Sequence, residues 1–293
     1  MGSVPAGRRA RTAAAVTAVT AALATAAGLG AGPAAAAGTT AGRYVALGDS
    51  YASGAGVPAQ VDSACMRSDV NYPALVNAAL TPAAHKDVTC GGATTVHMTS
   101  AQNTSAPPQF DALSTDTDLV TLTIGGNDVG FANIILRCVT LGAFNLGGAP
   151  CKTSYTWTGT DQLAATVDAT APKIAAAIDG IRQRAPKARI LVTGYPAILP
   201  DNGTNCPWVV TIAKGDAPWL RDTHKRLNTM IATQAAARGA VYVDTYTKSV
   251  GRDICKPAGT RWMEPLLTNA AAPFHPNAAG ERAMADTVLA AAR

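Results

Sequence analysis

Charge is scarce in this chain. Only 15% of its 293 residues are Asp, Glu, Lys or Arg, against a usual quarter. Aromatics are scarcer still, at 5%. No basic block exists that could track a phosphate backbone. Of the net +5, the first 37 residues supply +3 through Arg8, Arg9 and Arg11 and carry no acid. The remainder is close to neutral, which excludes a nucleic-acid-binding class. No C-x-x-C occurs, and no cysteine has a histidine at zinc-site spacing, so neither a metal nor an organic cofactor is expected. Beyond residue 37 no stretch is long and apolar enough to span a bilayer, so stable membrane insertion is not expected.

What is present at the start is an address. A short basic segment is followed by an uncharged Ala/Val/Thr/Leu/Gly run over 12–30. Then comes Gly32-Pro33 and a run of alanines to Ala37. This is the order of a secretory signal peptide, with cleavage expected after Ala37 and a secreted mature chain over 38–293. Export fits six cysteines, all in the mature part. The simplest of their connectivities joins neighbours: Cys65–Cys90, Cys138–Cys151 and Cys206–Cys255.

The mature chain reads as one domain in which short apolar runs alternate with helical periodicity. Strands are predicted over 43–47, 118–124, 189–193 and 240–244, with a weaker one over 87–89. Helices are predicted over 161–184, 217–238 and 277–292, the first broken or kinked at Pro172. Strands separated by helices imply crossover connections and a mostly parallel sheet. In such sheets ligands bind beyond the carboxyl ends of the strands. Polar motifs stand at those ends.

Gly48-Asp49-Ser50 follows the first strand, on a turn that can project a hydroxyl. It is not G-x-S-x-G, which argues against the nucleophile elbow of the α/β-hydrolases. Gly91-Gly92-Ala93-Thr94-Thr95 offers a backbone N–H unobstructed by a Cβ. Gly125-Gly126-Asn127-Asp128 follows the strongest strand and offers an amide donor. Phe274-His275-Pro276-Asn277 precedes the last helix. It carries the one histidine, of four, held between prolines at a helix start. Nucleophile, two donors and base are the parts of acyl transfer. Each piece alone is also an ordinary turn. Asp49 and Asp128 are expected to tie down their own turns, and His85, His97 and His224 to be solvated.

In this order the motifs resemble the SGNH branch of the GDSL hydrolases. More narrowly, the chain is similar to its secreted actinobacterial lipases and esterases, through Cys90-Gly91-Gly92-Ala93-Thr94-Thr95 and Arg261-Trp262-Met263-Glu264-Pro265-Leu266. The resemblance implies a three-layer α/β/α sandwich on a central, mainly parallel five-stranded sheet. It implies Ser50 as nucleophile and His275 as base, with an oxyanion hole of the Ser50 N–H, the Gly92 N–H and the Asn127 side chain. Many members place an Asp three residues before the histidine. Here that residue is Ala272. The resemblance then implies a dyad whose imidazole is oriented by the Ala272 main-chain carbonyl, with Glu264 or Asp253 as rival carboxylates. The expected substrate is a lipid or short acyl ester, acted on by a monomer. A phospholipase and a carbohydrate O-acetyl esterase share the chemistry. A non-catalytic binding protein on the same scaffold is the reading from another class. The segments 138–151 and 206–255 are expected to shape the pocket, with the apolar Val139, Leu141, Phe144 and Leu146 favouring acyl chains.

Overall fold

The computed structural model describes residues 1–2 and 42–293. The expected leader therefore lies, beyond its first two residues, outside the described residues. After β1 (Arg43–Gly48) come α1 (Ser50–Ser53), the antiparallel pair β2 (Gln60–Asp62) and β3 (Arg67–Ser68), α2 (Tyr72–Leu80) and β4 (Ala84–Asp87). β5 (Leu119–Thr123) leads into α3 (Gly126–Val129), α4 (Phe131–Phe144), α5 (Pro150–Thr156) and α6 (Gln162–Arg184). β6 (Arg189–Thr193), α7 (Asp216–Ala237), β7 (Val241–Val243), α8 (Thr245–Ser249) and α9 (Ala278–Ala292) complete the chain.

The five-stranded sheet is parallel throughout, in the order β4-β1-β5-β6-β7. Its central strands β1, β5 and β6 are mostly apolar on both faces because helices cover both. Val45, Leu47, Val120, Leu122, Ile190 and Val192 face a core built with Ile174, Ile178 and Ile181 of α6 and Leu227 and Ile231 of α7. The alternate residues Tyr44, Ala46, Leu119 and Leu191 face Tyr72 and Val76 of α2 and Met284 and Val288 of α9. This period-two division makes the fold a three-layer α/β/α sandwich. Chain order reverses at β1, which takes β4 on one side and β5 on the other. The crevice between the carboxyl ends of β1 and β5 is the switch point where ligands settle in open sheets.

Two elements differ from the sequence reading. The fifth strand runs Ala84–Asp87, three residues earlier than expected. It is an edge strand of sequence Ala-His-Lys-Asp, so it lacks the apolar signature of its neighbours. α6 runs unbroken through Pro172. Pro172 and Asp168, whose carbonyl loses its partner, are both exposed. Water can serve that carbonyl while Val167, Ile174 and Ile178 keep the inner face packed.

Disulfides join Cys65 to Cys90, Cys138 to Cys151 and Cys206 to Cys255. The first ties the β2–β3 excursion to the loop carrying Gly92. The second clips α5 to α4. The third anchors the segment leading to α7 onto the loop after α8.

Glu281 of α9 is fully buried and accepts the Tyr72 N–H at 2.7 Å, which starts α2. Burial raises its carboxyl pKa well above the ordinary 4.5, and nearby Asp87 adds to this. A raised folded pKa means that stability is full below the unfolded value and declines as pH rises above it. Glu281→Gln, which keeps the acceptor and removes the charge, is expected to raise Tm by about 2–4 °C at pH 8 and not at pH 4. A thermal melt of the two proteins at both pH values checks this.

Candidate active site

Ser50 opens α1 directly after β1. The turn needs glycine at 48: with φ at +150°, a Cβ there would sit 2.6 Å from the Thr123 carbonyl of β5. Gln109 clasps the same residue from both sides, its amide oxygen accepting the Gly48 N–H at 2.8 Å and its NH₂ donating to the Gly48 carbonyl at 2.9 Å. Asp49 caps α1 by accepting the Tyr51 N–H at 3.0 Å. Ser50 Oγ then stands 2.7 Å from His275 Nε2.

The loop carrying His275 is pinned from two directions. The Ala272 N–H donates to the Ala55 carbonyl at 2.7 Å, and the Tyr51 hydroxyl donates to the Phe274 carbonyl at 2.6 Å. From the other side, the Glu264 N–H donates to the His275 carbonyl and the Phe274 N–H to the Glu264 carbonyl, both at 2.9 Å. Tyr51 also lies against the imidazole, ring centroids 4.7 Å apart.

The carbonyl that meets the imidazole is that of Pro273 and not Ala272. His275 Nδ1 lies 2.7 Å from the Pro273 oxygen, whereas the Ala272 oxygen accepts the His275 main-chain N–H at 3.2 Å. Phe274 adopts a left-handed φ of +62°. The chain thus closes a tight turn that occupies the Ala272 carbonyl and directs that of Pro273 at the ring. A carbonyl only accepts, so Nδ1 carries the hydrogen. Nε2 is then bare and accepts from the Ser50 hydroxyl. Burial lowers the His275 pKa below the ordinary 6.5, a drop that the Pro273 bond partly opposes.

Neither rival carboxylate reaches this ring. Glu264 accepts from the Arg261 guanidinium at 2.8 Å, Thr268 Oγ1 at 2.6 Å and Asn277 Nδ2 at 2.7 Å. It therefore clamps the histidine loop, and these partners keep its carboxyl ionised in spite of burial. Asp253 accepts the Cys255 N–H in its own turn.

On the opposite side, Asn127 follows β5 at the start of α3. One hydrogen of its amide donates to the Ala93 carbonyl at 2.9 Å, which leaves the second for a ligand. Asp128 does not serve its own turn, as expected from sequence, but accepts the Thr95 N–H at 3.0 Å and hydroxyl at 2.6 Å. These bonds fix the Gly92–Thr95 loop against the Asn127 turn. Gly92 has a φ of +77°, and a Cβ there would meet Gln102 Nε2 at an ordinary 3.6 Å, so its conformation and not crowding calls for glycine. Among the described residues, no acceptor faces the Ser50 N–H or the Gly92 N–H.

Three residues stand out that sequence reasoning passed over. Tyr195, just after β6, donates its hydroxyl to Asp49 at 2.6 Å and accepts the Gly126 N–H at 2.8 Å. It links the Ser50 turn to the Asn127 turn. Burial pushes the Asp49 carboxyl up to about 7, against the lowering effect of the Tyr195 and Tyr51 bonds. Tyr51 acts as described. The remaining signal for Tyr195 was its place at a strand's carboxyl end, in Gly194-Tyr195-Pro196. His224 is the third. It is half-buried and lines the cavity beside the site, its Nε2 3.2 Å from the Tyr195 carbonyl, and burial lowers its pKa to about 4. His97 also has a structural task, its Nδ1 accepting the Thr94 N–H at 2.9 Å.

Ser50, Asn127 and His275 open onto an apolar cavity walled by Val129, Phe131, Ile134, Ile135, Leu199 and Leu227. These walls come from residues before Cys138, from Leu199 after β6 and from α7. Val139, Leu141, Phe144 and Leu146 do not line it: the first two pack against the core, and the last two are exposed. Among the described residues, no three His, Cys, Asp or Glu side chains group as metal ligands.

The sequence profile of the GDSL-like Lipase/Acylhydrolase family matches residues 46–283. The chain belongs to this family. It is 46% identical over 253 residues to Lipase 2 of Streptomyces coelicolor, covering 84% of each chain. Its fold is similar to the crystal structure of phospholipase A1 from Streptomyces albidoflavus NA297, with TM-score 0.71, 32% identity and coverage of 85% of this chain and 99% of that one. It is equally similar to the extracellular lipase from Streptomyces rimosus, with TM-score 0.71, 30% identity and coverage of 86% and 100%. The chain is thus a carboxylic ester hydrolase of the lipase/esterase type, and the apolar cavity lies beside the hydroxyl expected to attack.

Proposed function

We propose that the protein is a secreted lipase or esterase that cleaves acyl esters through a Ser50–His275 dyad. The observation carrying this reading is the 2.7 Å contact between Ser50 Oγ and His275 Nε2 at the mouth of the apolar cavity. Ser50 Oγ attacks the ester carbonyl as its proton passes to Nε2. The developing oxyanion takes the Ser50 and Gly92 N–H groups and the free Asn127 amide hydrogen. The imidazolium, held by Pro273, returns its proton to the leaving alcohol. Water, activated by the same Nε2, then frees the acid from Ser50. The acyl chain occupies the apolar cavity. The leader over 1–37, a single domain over 38–293, a monomeric state and the lack of a cofactor are part of this proposal. Disulfides and the similarity to an extracellular lipase support secretion.

A second reading takes the same chemistry to a phospholipid, and the similarity to a phospholipase A1 favours it. Rates on p-nitrophenyl esters of rising chain length, beside a triacylglycerol emulsion, a phospholipid and an acetylated xylan, separate these substrates. Medium or long acyl esters are expected to lead. A preference for acetyl groups on xylan would overturn the acyl-cavity reading. An organophosphonate is expected to label Ser50, read by mass spectrometry, and Ser50→Ala to take up none.

The dyad needs a neutral imidazole, so activity is lost as pH falls through the His275 pKa. Burial places that value below 6.5, and the acid limb of kcat/KM is expected there. A limb near 7 that vanishes in Asp49→Asn would assign the transition to Asp49 instead.

A further inference from the structure

The exposed Phe and Trp side chains of the described residues gather in one lobe. Phe144 at the end of α4 is 87% exposed, Trp157 just after α5 is 75% exposed, and Trp208 in the 202–215 loop is 80% exposed. Leu136, on the outer side of α4, is 63% exposed. None of the four lines the cavity or fills the core.

The lobe is held together. Cys138–Cys151 clips α5 to α4, and the Arg137 guanidinium lies 4.8 Å over the Tyr155 ring. The Thr211 hydroxyl donates to the Val139 carbonyl and the Lys214 N–H to the Leu146 carbonyl, both at 2.8 Å. Cys206–Cys255 anchors the loop from below. The charge is of one sign. Neither 129–160 nor 202–215 contains an Asp or Glu, while Arg137, Lys152 and Lys214 all lie exposed there. The lobe is also continuous with the site. Ala132 of α4 lines the cavity and is itself exposed, and Leu136 follows it by one helical turn.

We propose that the α4–α5 lobe and the 202–215 loop form a docking face for an anionic lipid surface, one that seats the cavity mouth on the lipid. This deepens the acyl-ester reading and rests on it. Tryptophan and phenylalanine enter the interfacial region of a bilayer, where an apolar body and a wet rim are both satisfied. Lysine and arginine beside them gain from anionic head groups, and the lack of acids removes the opposing repulsion. A rigid lobe loses little freedom on docking. An ester can then pass from lipid to Ser50 along the apolar side of α4 without crossing water.

The test uses the full mature enzyme carrying Ser50→Ala, so that lipid is bound and not cleaved. Binding is measured by co-sedimentation with vesicles of phosphatidylcholine alone and with about one third phosphatidylglycerol. Tighter binding to the anionic vesicles is expected. Trp157→Ser with Trp208→Ser is expected to weaken it by roughly tenfold or more per residue. Lys152→Gln with Lys214→Gln is expected to remove about fivefold per residue, on anionic vesicles only. The same substitutions with Ser50 intact should leave kcat/KM on a soluble short ester within about twofold, since none touches the cavity. Three results would overturn the proposal: no vesicle binding, binding unmoved by the tryptophan pair, or a tryptophan pair that changes the sedimenting mass of the free protein, which would make the face a protein interface. If the Ser50→Ala enzyme still hydrolyses the soluble ester, the dyad reading fails while the vesicle result stands by itself.

Discussion

A His275→Ala enzyme is expected to lose about 10⁴ to 10⁶ in kcat/KM on a soluble p-nitrophenyl ester, with its melting temperature little changed. The ring is the only base within reach of Ser50 Oγ among the described residues, and its removal leaves the hydroxyl at its unactivated pKa. The informative comparison is Glu264→Gln. If a carboxylate completed a triad, that change would cost thousands-fold at constant fold, because a charge-bearing orienter holds both tautomer and imidazolium. Here the Glu264 carboxylate is committed to Arg261, Thr268 and Asn277, while Nδ1 is held by Pro273. Glu264→Gln should therefore cost on the order of 2 kcal/mol of stability and less than about tenfold in rate below its melting temperature. Paired kinetics and thermal melts decide it. A thousands-fold loss in Glu264→Gln with an unchanged melt, or a His275→Ala enzyme retaining a tenth of its activity, would overturn the dyad.

An orienter made of backbone leaves no side-chain signature, which is why the sequence pointed one residue away from it. Ala272 stands where many relatives have Asp, but which carbonyl meets Nδ1 depends on the left-handed φ at Phe274. That conformation is held by Tyr51, more than 200 residues distant. The same reason hid Tyr195. The partners of a tyrosine hydroxyl are set by tertiary packing, and no local pattern announces them. The strand ends at the site were legible because the apolar runs of β1 and β5 stop at glycines that the fold requires, Gly48 and Gly125. Ser50 and Asn127 inherit their positions from those stops. Of the two segments expected to shape the cavity, 206–255 lines it through α7 and Tyr246, while 138–151 does not. The apolar residues after Cys138 suggest an acyl pocket in the sequence, yet Phe144 and Leu146 face outward.

A neutral carbonyl behind His275 fixes the tautomer without offsetting the imidazolium charge. More of the transition-state stabilisation must then come from the oxyanion side. Asn127→Ala is accordingly expected to lower kcat by about 10²–10³, or roughly 3–4 kcal/mol of barrier, with KM nearly unchanged. The substitution also removes the bond to the Ala93 carbonyl, so part of the loss could be a shifted loop. The two Asp128 bonds to Thr95 survive it and hold that loop in place. Asn127→Asp separates the two effects. It keeps the size of the side chain but turns an acceptor toward the developing negative charge, and it should be worse than alanine. A boronate that mimics the tetrahedral intermediate should lose affinity in proportion to kcat across wild type, Asn127→Ala and Asn127→Asp, while a ground-state ester analogue binds all three alike. Turnover near wild type in Asn127→Ala would leave the oxyanion to the Ser50 and Gly92 N–H groups alone, and the amide of Asn127 would then serve only to fasten Ala93.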